Sequence, residues 1–184
     1  TISDHGDASI PYEFEGETYY FRKDYINNLD NTLVNCLKNN ISIFGIFIMK
    51  NANNADPDNP AKYYAHPDST RVADLVGVNM KDERGIQYYK AIMHFIAERY
   101  SRPDGKYGRF DGYVVGNEIG ASETWNNMGL NKSLNDYVDE YTRWLRITNT
   151  IVRSYYADVR VYASFDHGWT SDPHEEQKQY GITD

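Results

Sequence analysis

Three apolar runs of strand length govern what this chain can fold into: ISIFGIFIM at residues 41–49, FDGYVVG at 110–116 and VYASF at 161–165. Each gives way at once to polar residues. The first is β-branched and aromatic and apolar on both sides, the pattern of a parallel strand buried on both faces. Between the runs the hydrophobic period becomes helical. Ile86, Tyr89, Met93, Ile96 and Tyr100 share one stripe over residues 82–100. After Ser133, whose S-x-x-D spacing to Asp136 makes a capping box, Tyr137, Tyr141, Trp144, Leu145, Thr148, Ile151, Val152 and Tyr155 share another. Strands alternating with helices predict an α/β chain, a parallel sheet with helices outside it.

The start of the chain adds a different element. Residues 12–21 alternate on either side of Glu15-Gly16, which predicts an N-terminal β-hairpin. Asp24 is placed to cap a helix carrying Ile26, Leu29, Leu33 and Cys36 or Leu37, and Asn39-Asn40 end it. Residues 51–81, rich in Asn, Asp, Pro and Ala, are too long for a plain connector, and loops of that size are usually functional. His66, within that loop and just before Pro67, reads as part of a surface turn.

Charge and composition remove several function classes. Nineteen Lys and Arg against 27 Asp and Glu give a net charge of −8, which disfavours nucleic acid and anionic membranes and favours a neutral or cationic ligand. No apolar run approaches the roughly 20 residues of a spanning helix. A single cysteine, Cys36, excludes an intrachain disulfide and a multi-Cys metal site. Phosphate-binding, dinucleotide, zinc-protease and serine-hydrolase motifs are absent, so no cofactor and no metal are expected. The 17 Tyr, 7 Phe and 3 Trp suit a surface that stacks on sugars or peptides.

Ligands of parallel α/β folds bind where the βα loops gather, at the carboxyl ends of the strands. The first run delivers Asn51 there, the second Asn117 and Glu118, and the third Asp166, His167 and Trp169. Glu118 is the sharpest of these signals. It follows the buried-looking YVVG, and a carboxylic acid partly shielded from water is a competent proton donor near neutral pH. Asn117 beside it can hydrogen-bond a hydroxyl, and Trp125 offers a stacking face seven residues on. The plainer alternative is that Asn-Glu merely opens a solvated loop.

The segment GYVVGNEIG at residues 112–120 resembles the fourth strand of the large clan of (β/α)8-barrel glycoside hydrolases, where the acid/base glutamate follows an asparagine. With NISIFGIFIM, YYKAIMHFIAERY, ASETWNNMG and VYASFDHGW, it looks like a bacterial family of unknown function related to that clan, over residues 21–169. The resemblance implies an incomplete TIM barrel holding about strands 3 to 5 as a single domain. By it, Glu118 is the general acid/base, Asn117 binds the hydroxyl next to the anomeric carbon, and Trp125, Asp166, His167, Trp169 and Asn51 line the substrate. The clan's nucleophile stands on the seventh strand, outside this chain, and a complete barrel takes about 250 residues. The expected partners are therefore a carbohydrate and the remainder of the barrel, with self-association of the isolated chain. The chain does not begin with Met, so its start reads as cut or processed, and a secreted or cell-surface setting is favoured. The rival readings are a non-catalytic carbohydrate-binding domain and a protein-interaction α/β domain.

Overall fold

The computed structural model describes residues 8–51, 59–70, 73–129 and 132–166. The chain opens with a hairpin, β1 (Ser9–Phe14) and β2 (Glu17–Arg22), antiparallel in the register Ser9 to Arg22 and Phe14 to Glu17. Glu15 and Gly16 turn it with positive φ, as the sequence predicts. Helix α1 (Lys23–Lys38) begins directly off the strand. This corrects the expected cap: Arg22 is the N-cap residue, still paired across the hairpin, and Asp24 lies in the first turn, bonded to Arg22 at 2.6 Å.

A parallel sheet of three strands follows, β3 (Phe44–Phe47), β6 (Gly112–Val115) and β7 (Arg160–Ala163), in the spatial order β3-β6-β7. The 41–49 run does not continue as one strand. It breaks at Ile48, and β4 (Met49–Lys50) pairs antiparallel with β5 (Leu75–Val76), drawn from the long loop. That loop also contains the short helix α2 (Ala61–Tyr64). Helix α3 (Glu83–Tyr100) is capped by Asp82, which accepts the Gly85 N–H at 2.7 Å. Helix α5 (Leu134–Tyr155) is capped by Ser133, which accepts the Asp136 N–H at 3.1 Å, while the single turn α4 (Ser122–Trp125) precedes it. The protein is thus mixed α/β with a parallel sheet, and the three strands do not close into a barrel.

The core has two parts with α3 between them. Tyr89, Met93, Ala97 and Tyr100 of α3 meet Tyr113 and Val115 of the central strand and Trp144, Ile151 and Val152 of α5. On its other side Ala91, Ile92 and Phe95 meet Tyr19 and Phe21 of the hairpin, with Phe21 and Phe95 stacked at 3.8 Å. The sheet is covered on the α3 and α5 side alone among the described residues. On the opposite face Phe44 and Ile46 are 51% and 55% exposed, so the strand expected to be buried on both faces is buried on one. There the rings of Phe44 and Tyr162 close over Gly112, where a Cβ would stand 2.6 Å from Phe44 and 2.8 Å from Tyr162. A side chain at 112 would push the two rings apart.

His66 corrects a second expectation. Its side chain is fully buried; Nδ1 accepts the Asp68 N–H at 3.1 Å, so Nε2 carries the proton it donates to Glu140 at 2.7 Å. Lys132 reaches the other Glu140 oxygen. Together they tie the long loop to α5. Beside them lies a cavity of about 730 Å3 lined in part by Lys81, Lys132 and Arg143, but these cations are already bonded to Asp68, Glu140 and the Met80 carbonyl. Burial pushes the Glu140 carboxyl up, and the hydrogen bonds from His66 and Lys132, with the charge of Lys132, outweigh it, holding it at about 2 against an ordinary 4.5.

A folded-state value below the unfolded one stabilises the fold above pH ~4.5, and that stability is lost as pH falls toward 2. Glu140→Gln is therefore expected to lower the melting temperature at pH 6, with the gap to wild type closing as the pH is brought down to 2. A gap independent of pH in thermal denaturation would contradict the pairing. Asp82 and Asp104 are also held low and keep some acid sensitivity in the variant.

Candidate functional site

The candidate site is built on the turn that leaves β6. Val115 is fully buried and its carbonyl accepts the Tyr141 hydroxyl at 2.8 Å, which anchors the strand end on α5. Gly116 follows with φ +69, and its N–H crosses to the Phe47 carbonyl at 3.0 Å. Only a glycine fits there: a Cβ would stand 2.6 Å from Asn126 Oδ1 and 3.3 Å from the Trp144 ring. Asn117 comes next, and then Glu118 with φ +41. A left-handed glutamate is uncommon and costs about 1 kcal/mol or more, so it persists only where its surroundings hold it.

The surroundings hold it from several directions. The Glu118 N–H donates to Ser164 Oγ at 3.3 Å and the Ile119 N–H to the Ser164 carbonyl at 2.9 Å, both just past β7. The Ile119 carbonyl accepts the Tyr137 hydroxyl at 2.9 Å. Ala121 N–H donates to the Glu118 carbonyl at 2.8 Å and starts α4, which returns Trp125 to the site. Trp125 Nε1–H then donates to Glu118 Oε2 at 2.9 Å. Buried Asn126 donates from Nδ2 to the Asn117 carbonyl at 2.7 Å.

What this leaves for a ligand is specific. Glu118 Oε1 and the Asn117 NH2 group have no partner among the described residues, while Asn117 Oδ1 accepts the Ser164 hydroxyl at 3.4 Å. Both side chains are half-buried. The arrangement offers an acceptor or proton donor beside an amide donor, at the carboxyl end of the middle strand.

Among the other sequence candidates, Asp166 lies three residues past β7 and is half-buried. Asn51 follows β4, with its NH2 donating to the carbonyls of Thr70 at 2.8 Å and Ala73 at 2.6 Å, so that amide braces the long loop. His167 and Trp169 lie outside the described residues. Sequence reasoning overlooked Ser164 and Asn126, whose hydrogen bonds shape the turn. No group of three or more His, Cys, Asp or Glu among the described residues could hold a metal ion. No described helix is long and apolar enough to cross a membrane.

Comparison with curated proteins and with solved structures gives no match. Comparison with protein families does: over residues 1–184 the chain matches DUF5722, a family of unknown function, and it belongs to that family.

Proposed function

We propose that the chain is part of a (β/α)8-barrel glycoside hydrolase-like domain. Glu118 is its general acid/base, Asn117 binds the hydroxyl beside the anomeric carbon, and the nucleophile lies outside these 184 residues. The observation that carries this reading is the strand-end turn: a glutamate held in a left-handed conformation, with one carboxyl oxygen fixed by Trp125 and the other without a partner among the described residues. Backbone strain of that kind concentrates at functional sites. An acid/base glutamate must present one oxygen to the glycosidic oxygen, and an adjacent amide donor suits a sugar hydroxyl. A neutral glycan also suits a chain of net charge −8. In this reading Asp166, three residues past β7, lines the same strand-end region. The test is hydrolysis of a glycan panel by the full natural polypeptide and its Glu118→Gln variant. Sugar binding without cleavage by the wild type would favour a non-catalytic carbohydrate-binding domain instead.

The incomplete barrel is the second half of the proposal, and the uncovered sheet face supports it. Parallel strands are normally covered on both sides, yet Phe44, Ile46 and Ile48 are each more than 40% exposed. In the proposed barrel these side chains point into the interior and meet the remaining strands. The isolated 184-residue chain is therefore expected to self-associate in sedimentation and to bind a hydrophobic dye. Ile46→Lys should weaken both effects. A dye-silent monomer would sink the barrel-wall reading.

A further inference from the structure

Resting on the reading of Glu118 as acid/base, we infer that Trp125 is a positioning residue that works through its indole N–H, fixing which carboxyl oxygen of Glu118 meets the ligand. A lone carboxyl group can turn about its last bond and offer either oxygen. The 2.9 Å bond from Nε1 to Oε2 removes that freedom and assigns the reacting role to Oε1. The sequence reads Trp125 as a stacking surface, but the ring is half-buried and its one polar atom is aimed at the carboxyl group.

The local chain is built to bring it there. Gly120 and the single turn of α4 fold residues 118–125 back on themselves: Ala121 N–H bonds the Glu118 carbonyl, and Trp125 N–H bonds the Ala121 carbonyl at 3.1 Å. The next residue, Asn126, holds the Asn117 carbonyl. Successive side chains thus fix the Glu118 carboxyl group and the backbone before it, while Ser164, just past β7, accepts the Glu118 N–H. The carboxyl orientation and the left-handed backbone are set together.

Trp125→Phe separates the two roles, because it keeps an aromatic face and removes the donor. A positioning donor predicts that kcat on a cleaved glycan falls about 10- to 100-fold, in keeping with the loss of a hydrogen bond to a charged group, with KM within about twofold. A stacking residue predicts the reverse, a raised KM with kcat kept, and that result overturns the inference. A second readout needs no activity. In the full natural polypeptide labelled with 15N-tryptophan, the indole cross-peak absent from Trp125→Phe is that of Trp125, and it should shift in Glu118→Ala, which removes the acceptor, while the other indoles stay in place. A Trp125 cross-peak unmoved by Glu118→Ala refutes the hydrogen bond and the inference with it. A cross-peak that moves in a polypeptide cleaving no glycan supports the positioning of Glu118 and sinks the acid/base reading instead.

Discussion

Glu118→Gln is expected to slow glycan hydrolysis by the full natural polypeptide about 10²- to 10⁴-fold, the range for removing a positioned general acid. Gln is the informative replacement because its amide oxygen can still accept the Trp125 indole N–H, so the turn keeps its shape and only the proton is withdrawn. The loss should depend on the leaving group. Departure of a sugar alkoxide needs a proton in the transition state, whereas an acidic phenol leaves well without one. An aryl glycoside with such a phenol should therefore lose far less rate in its bond-breaking step than a natural linkage does. A twofold or smaller loss on both substrates would remove Glu118 from the mechanism. An equal and large loss on both would assign it a role other than leaving-group protonation. The melting temperature should move little, since Glu118 is half-buried and its hydrogen bond to Trp125 has a substitute.

The sequence made most of the elements readable, for physical reasons that differ from place to place. The hairpin turn, the box at Ser133 and the breaks at Asn39-Asn40 and after Tyr100 are local chemistry, and all appear in the fold. The start of α1 was misread because Asp24 resembles a cap, whereas ladder pairing of Arg22 carries the strand up to the helix. The 41–49 run looked buried on both sides because Phe44, Ile46 and Ile48 are as apolar as the residues between them. Periodicity records what a face requires, and among the described residues nothing covers this one. At the site, Asn117-Glu118 was legible from its place after an apolar strand. The hydrogen-bonding role of Trp125 was not, since it depends on a single turn of helix reversing the chain. Ser164 and the His66 to Glu140 pair are invisible for a related reason: their partners lie 46 and 74 residues away in the chain.

Trp144→Ala is expected to be the most destabilising single change near the site, at about 3–5 kcal/mol. The indole is fully buried on the inner stripe of α5, edge-on to Tyr89 at 6.3 Å and to Tyr141 at 5.8 Å. Its loss leaves a large cavity, beside which the bond between the Tyr89 hydroxyl and Thr148 Oγ1 ties α3 to α5 and resists collapse. For a chain of this size the melting temperature should fall by roughly 6–20 °C. The same ring supports the strand-end turn, because it lies against Gly116 beside Asn126, and Tyr141 next to it holds the Val115 carbonyl. Trp144→Ala should therefore reduce both stability and hydrolysis, whereas Glu118→Gln reduces hydrolysis alone. Trp144→Phe, which keeps an aromatic edge against Tyr89 and leaves a smaller void, should recover much of the stability. If Trp144→Ala unfolds in calorimetry within 2 °C of wild type, the packing between α5 and the strand-end turn is not what fixes Glu118 in place.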